Sequence, residues 1–347
     1  MATNQFTGAT GGTGGVIKPG VDTFYNRTLL SRCLPALIHA QLGDKKPFKA
    51  KNGNVMKFRR WKSLAVAENP VPLTEGVPGT GQALEYEEYS VTIKHYGGYV
   101  IITDEVDTLV EDPVLTEAAM LLGEQAGLTV DRIYREVLNS GTFAHTVGTT
   151  LGGVAGAGPR TDIVSKITSA SMEMALRTLR RNNIKKWTRG INASTGVGTL
   201  PVRSAYWAIA HPDMIRDLES LPDFIHVSKY ATQTGVDPNE IGSWKDIRIL
   251  CTTNARVWPG GGGAVGATGL VNTAGTVDVY SFLILGQEAY GICPLGSDNA
   301  KNIRKGFTEG GPSNPLEQIA TSGWSVWTCA VRLNEQAIFR IECGATA

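Results

Sequence analysis

Cysteine is scarce in this chain: five in 347 residues, at positions 33, 251, 293, 329 and 343, with no C-x-x-C among them. An odd count without paired spacing argues against a disulfide framework or a zinc site, and fits buried free thiols in a reducing compartment. Excess charge is missing too. With 33 Lys and Arg against 32 Asp and Glu, the formal net charge is +1, so nothing pulls the whole molecule toward nucleic acid or membrane. No apolar run is long enough to cross a bilayer, and no membrane partner is expected. The opening MATNQFTGATGGTGG has no apolar core, so no signal peptide is expected. There is no solenoid or propeller repeat.

Catalytic signatures are equally sparse. There is no G-x-x-x-x-G-K-[ST] loop and no G-x-S-x-G elbow. The glycines of GGVAGAGP lack the strand-to-helix setting and acidic follow-up of a dinucleotide site. His39, His95, His145, His211 and His226 are scattered; none forms H-E-x-x-H or sits at metal spacing from a cysteine. Trp244, Trp258, Trp324 and Trp327 read as core rather than base-stacking platforms. The sequence therefore nominates no catalytic residue, no metal ligand and no cofactor.

What is present is a globular composition, 42% hydrophobic and 19% charged, long enough for a sizeable core. The most informative stretch is Asp112 to Gly141, which the spacing predicts as one long helix. Asp112 suits the N-cap and Pro113 the first turn. Leu115, Ala118, Leu122, Ala126, Val130, Ile133 and Val137 recur in steps of three and four, which puts them on one stripe. Asp131 and Arg135 are four apart and predicted to pair on the wet face. Gly123 and Gly127 each cost about 1 kcal/mol relative to Ala, and leave a bare surface that another backbone can approach.

Upstream, residues 1–20 are mostly Gly, Thr and Ala and read as a flexible arm. Leu34, Leu37, Ile38 and Leu42 follow at helical spacing. From Lys51 to Val100, Met56 and Phe58 alternate with Lys57 and Arg59. Tyr89, Val91 and Ile93 alternate with Ser90, Thr92 and Lys94. Period two predicts strands. Between them ENPVPLTEGVPGTGQ cannot be regular structure, so the unit is a long hairpin with a Pro/Gly tip and little core of its own. Its charges are sorted: Lys57, Arg59, Arg60 and Lys62 go out, Glu85, Glu87 and Glu88 come back. Two readings fit, a cross-strand ladder within the hairpin or contacts with the opposite sign on a neighbouring copy.

Downstream, Asp162 to Arg181 reads as a second amphipathic helix with Ile163, Ile167, Ala170, Met174 and Leu179 facing one way. Its end carries Arg177, Arg180, Arg181, Lys185, Lys186 and Arg189. A solvated helix end suits these charges; contact with a nucleic-acid backbone is the other reading. Tyr206–Ala210, Trp244–Leu250 and a strongly apolar Val277–Leu285 read as strands, Met214–Leu221 as a short helix, and residues 259–270 as a mobile Gly/Ala loop. WSVWTCAVRL and QAIFRIEC give two closing strands, expected to return to the sheet of the long helix. The fold class is α+β.

Three stretches carry a family resemblance. LPALIHAQLGDKKPFKAKNGNVMKFRRWKSLAVAENPVPLTEGVPGTGQALEYEEYSVTIKHYGGYVIITDEVD, SFLILGQEAYGICPLG and RLNEQAIFRIE resemble the phage N-four family of tailed-phage major capsid proteins, with the Hong Kong 97-type fold. The resemblance implies a structural shell subunit without catalysis. It assigns residues 1–50 to an N-terminal arm, 51–98 to an extended loop, 99–160 and 301–347 to a peripheral domain with its spine helix at 112–140, and 161–300 to an axial domain. It also implies hexamers and pentamers in an icosahedral head around double-stranded DNA, assembled in host cytoplasm and resident in the virion, with scaffolding, portal and decoration proteins as partners. The charged residues of the hairpin become inter-subunit contacts, and the basic cluster at 177–189 becomes a sequence-independent DNA contact on the inner face. Some relatives of this fold cross-link Lys to Asn; Lys51, Lys57 and Lys62 lie on the loop, but no matching Asn and Glu can be placed, and no cross-link is expected. The alternatives are an encapsulin-like nanocompartment shell and a soluble α+β enzyme with the 259–270 loop as its lid.

Overall fold

The computed structural model describes residues 37–48, 53–62, 64, 75–76, 81–109, 114–148, 158–187, 204–230, 237–266, 269–294, 301–307 and 315–347. The chain enters at the arm's root. Residues 37–42 form turns rather than the expected helix, with Gln41 N–H donating to Ile38 C=O at 2.9 Å. A two-residue strand follows (β1, Asp44–Lys45). Helical spacing here reflects burial of Ile38 and Leu42 in a tertiary core, not a helix face.

The hairpin is as the alternation predicts. β2 (Val55–Trp61) and β3 (Tyr86–Thr92) pair antiparallel from Val55–Thr92 to Trp61–Tyr86. Most of the Pro/Gly tip lies outside the described residues. The chain kinks at buried Ile93 and continues as β4 (Lys94–Thr103) into a short helix (α1, Asp104–Leu109). The long helix follows as α2 (Val114–Asn139), 26 residues and about 39 Å; its expected caps Asp112 and Pro113 lie outside the described residues.

α2 does not bury one straight stripe. Ala118, Leu122 and Ala126 are buried in its first half, but Asp131, Tyr134 and Leu138 in its second. Each residue turns the helix by about 100°, so steps of four drift by about 40° each. The two halves face different partners. The first half packs Leu122 and Ala126 on Trp324 and Val326. The second packs Tyr134 and Leu138 among Ile38, Leu42 and the large sheet. The expected Asp131–Arg135 surface pair therefore does not form: Asp131 is fully buried, and Arg135 pairs with Glu136 at 2.7 Å.

Beyond β5 (Ala144–Thr146), the second amphipathic helix starts later than predicted (α3, Ser169–Arg181). Thr168 caps it in a capping box with Ser171. Ile163 is buried but outside the helix. Then come β6 (Tyr206–Ala210), α4 (Ile215–Glu219), β7 (Phe224–His226), β8 (Glu240–Trp244) and β9 (Ile247–Cys251). The single strand expected over Trp244–Leu250 is a hairpin instead, turned at Lys245, whose φ is +48°. Next are β10 (Val257–Trp258), β11 (Asn272–Thr273), β12 (Thr276–Val277), β13 (Val279–Leu285), β14 (Tyr290–Ile292) and β15 (Lys301–Lys305). The chain closes with β16 (Ile319–Thr328), β17 (Ala330–Arg332) and β18 (Ile338–Cys343).

The main sheet runs β5-β18-β13-β6-β9-β8-β7, with β10 also on β13. It is buried on both faces, as the all-apolar β13 requires. Tyr206, Ala208, Phe282, Ile284 and Ile341 meet α3 residues such as Met172, Leu176 and Leu179 on one side. Trp207, Ile209, Leu283, Leu285 and Ile338 meet α2 and the arm's root on the other. This sheet takes β5 and β18 from segments expected in the peripheral domain, and the rest from the expected axial segment. The closing strands join different sheets: β16 pairs with β4 and β15, while β18 pairs with β13 and β5. The Gly/Ala loop is pinned where described: Gly262 N–H donates to Val277 C=O, and Gly263 N–H to Ile163 C=O. A Cβ on Gly262 would sit 2.8 Å from both Ile163 and Val277 carbonyl oxygens, so close packing rather than mobility selects glycine there.

Candidate assembly interface

The hairpin stands on a small core and on little else. Its inner face, Met56, Phe58 and Val91, packs on Phe48, Ile93, Cys293 and Cys329. Among the described residues, β2 and β3 pair only with each other. The opposite face is open to solvent. Toward the tip, Trp61 (61% exposed) meets Tyr86 (47% exposed) edge-on at 5.5 Å, and Leu84 is 69% exposed. Among the described residues, nothing covers this apolar surface at the end of the two-stranded ribbon.

The sorted charges resolve, within one chain, into the cross-strand ladder. Arg59 Nε donates to Glu88 at 2.7 Å, Lys57 lies 3.5 Å from the same carboxylate, Arg60 lies 3.6 Å from Glu87, and Lys62 lies 3.1 Å from Glu85. The Arg59 hydrogen bond holds Glu88 below the usual carboxylate range, and one from Tyr89 does the same for Glu87. Arg59 also lies over the Tyr86 ring at 4.9 Å. Solvent screens exposed pairs of this kind, so each adds little to stability. They order the ribbon without burying it.

A second apolar surface runs along the spine. Ala119, Gly123, Ala126 and Gly127 of α2 form one wall, and Ile292, Pro294, Trp324 and Val326 the other, of a groove of about 440 Å³. Among the described residues, nothing lies within 4 Å of where a Cβ on Gly123 would be. The bare helix surface expected from the two glycines is present at Gly123; at Gly127, Leu37 is already in contact.

Sequence reasoning missed the group that joins arm, spine and main sheet. Fully buried His39 Nδ1 lies 2.8 Å from Asp131 Oδ2. Asp131 also accepts from Ala40 N–H at 3.2 Å and from Asn254 Nδ2 at 2.6 Å. A buried carboxylate must be paired, but the partners are 92 and 123 residues away, which no local pattern reveals.

The basic cluster is divided. Arg180 and Lys186 both bind the buried Asp246 carboxylate in the β8–β9 turn, Lys186 at 2.7 Å. Arg177, Arg181 and Lys185 are exposed, and Arg189 lies outside the described residues. Among the described residues no three His, Cys, Asp or Glu side chains are grouped to hold a metal, and no helix is long and apolar enough to cross a membrane.

A profile of the phage capsid protein family matches residues 86–328, and the chain belongs to that family. It is a structural major capsid protein, not an enzyme, and its place is the virion. Solved structures share the fold at low identity. The capsid of Ralstonia phage GP4 is 10% identical with a TM-score of 0.64, covering 98% of this chain and 99% of that one. The capsid of cyanophage P-SCSP1u is 15% identical with a TM-score of 0.61, covering 97% and 96%. The SrpI encapsulin complex of Synechococcus elongatus is 10% identical with a TM-score of 0.54, covering 93% and 92%. No curated protein sequence matches. The Hong Kong 97-type fold is thus common to phage heads and a cellular shell, and the family match assigns this chain to the phage side.

Proposed function

We propose that copies of this chain form the hexamers and pentamers of an icosahedral head around double-stranded DNA, assembling in host cytoplasm with scaffolding, portal and decoration proteins. The observation that carries the reading is the hairpin. Among the described residues, it exposes Trp61, Tyr86 and Leu84 on a ribbon with no other strand beside it, and a neighbouring copy would bury them. Lys57, Arg59, Arg60, Lys62, Glu85, Glu87 and Glu88 line that ribbon as inter-subunit contacts, each free to exchange its ladder partner for the opposite charge on a neighbour. The division into arm, extended loop, peripheral and axial domains goes with this reading.

Phosphate contact on the inner face falls to Arg177, Arg181 and Lys185, which are exposed; Arg180 and Lys186 serve Asp246. Electron microscopy of the expressed protein tests the assembly. Closed particles with five-fold and six-fold clusters support it. A subunit that stays monomeric with scaffolding protein present refutes it. Charge reversal at Arg177, Arg181 and Lys185 that leaves packaged DNA per particle unchanged removes the DNA contact.

A further inference from the structure

The small core beneath the hairpin contains two thiols, and they face each other. β14 and β17 pair antiparallel from Tyr290–Arg332 to Ile292–Ala330. The ladder ends there, and one further hydrogen bond, from Cys293 N–H to Cys329 C=O at 2.9 Å, brings the two cysteines opposite each other. Leu333 N–H donates to Ala289 C=O four residues back, so the ladder keeps one register through this stretch. Directly opposed residues on antiparallel strands have Cα atoms about 4.5–5.5 Å apart. A disulfide needs roughly 4.4–6.8 Å.

The side chains point into the same space. Both cysteines belong to the cluster with Phe48 and Ile93. Cys329 Sγ lies 3.9 Å from the Cys293 carbonyl oxygen. Each thiol acts on the other: the neighbouring Cys329 and burial push Cys293 up, and the neighbouring Cys293 holds Cys329 down. Cys293 is fully buried, and Cys329 keeps 7% of its surface exposed. The remaining described cysteines, Cys251 and Cys343, belong to β9 and β18 of the main sheet.

We propose that Cys293 and Cys329 are a latent disulfide, closed by a hydroperoxide oxidant once the protein leaves a reducing compartment. The Cys329 thiolate attacks the peroxide, whose O–O bond breaks, leaving a sulfenic acid at Cys329 and hydroxide. The Cys293 sulfur then attacks the Cys329 sulfur. The S–S bond forms, the S–O bond breaks, and the departing oxygen leaves as water. Two thiols and one hydrogen peroxide give one disulfide and two waters. The bond closes the chain from 293 to 329 and ties β14 to the β16–β17 junction, the floor on which Met56, Phe58 and Val91 rest. The chemistry belongs to the single chain and stands apart from the shell reading.

The test is made on the folded full-length protein. Hydrogen peroxide is added, excess is removed, and remaining thiols are alkylated in denaturant before peptide mass spectrometry. The expected result is a disulfide-linked peptide holding Cys293 and Cys329, with Cys251 and Cys343 recovered as alkylated thiols. The oxidised protein melts higher than the reduced one by roughly 5 °C, and the difference vanishes when Cys293 and Cys329 are both Ala. In Cys293→Ser the same treatment leaves a sulfenic acid at Cys329 that dimedone captures. Recovery of Cys293 and Cys329 as two alkylated thiols, or as sulfinic acids without the linked peptide, overturns the proposal. That mapping uses the unmodified sequence, so a poorly folding variant does not affect it.

Discussion

At the scale of single residues, the His39–Asp131–Asn254 group concentrates the most energy in the fewest atoms. Asp131 accepts three hydrogen bonds in a site closed to solvent. Removing one partner of such a pair leaves the other buried and uncompensated, which costs about 3–5 kcal/mol. Asp131→Ala is expected to lose that much in urea denaturation, and Asp131→Asn less, because the amide oxygen still accepts. Acid dependence belongs to this scale too. Burial disfavours the charged forms of Asp217 and Asp246. Hydrogen bonds from Thr346 and Lys166 to Asp217, and from Lys186 and Arg180 to Asp246, outweigh it and hold both below the ordinary 3.8. Burial alone pushes His145 below 6.5. In all three cases the unfolded chain takes up the proton first as pH falls. The His145 contribution is whole above pH 6.5 and is lost below it; the carboxylate contributions are whole above about pH 4 and are lost as pH drops through their lowered values. Urea midpoints from pH 7 to pH 3 should fall in two stages, and Asp246→Asn should shrink the second.

Elements set the next scale, and α2 shows how one helix serves two cores. Its first half lies on β16 and its second half on the arm's root and the main sheet. The change of face explains why apolar residues continue along it while the buried set jumps from Ala126 to Asp131. Its two glycines have different surroundings. Gly123 opens on the groove, whereas a Cβ at Gly127 would meet Leu37 Cδ1 at 3.0 Å. Gly123→Ala should therefore stabilise the isolated subunit by about 0.5–1 kcal/mol. Gly127→Ala should gain less, since Leu37 must give way. Thermal melts of the two variants side by side check the difference.

For the whole molecule, the body and the ribbon have opposite characters. The main sheet is buried on both faces and holds itself together. The hairpin has a four-residue floor, a salt ladder and an uncovered aromatic end. A combined change of Glu85, Glu87 and Glu88 to Lys should then lower subunit stability only slightly, because solvent screens these exposed pairs. Particle yield should collapse, because like charges would face each other at every copy of the contact. Melting temperature of the subunit and particle counts by electron microscopy separate the two effects.

The sequence alone determined whatever depends on neighbours along the chain. Alternation at Met56–Arg59 and Tyr89–Thr92 gave the hairpin. The apolar run at Val277–Leu285 gave a strand buried on both faces, formed as Val279–Leu285, and the steps of three and four along Asp112–Gly141 gave a long helix, described over Val114–Asn139. The likeness in the three quoted stretches named the shell subunit. Tertiary structure decided what depends on distant partners. It withdrew Asp131 from the wet face by supplying His39, and divided the basic cluster by supplying Asp246. It turned the Trp244–Leu250 run into a hairpin, and sent β18 to the main sheet instead of the sheet of β4 and β16. The physical reason is common to these cases: periodicity records which way a side chain points, but not what it meets there. A carboxylate or a strand edge takes its place from a partner that the folded chain alone brings near.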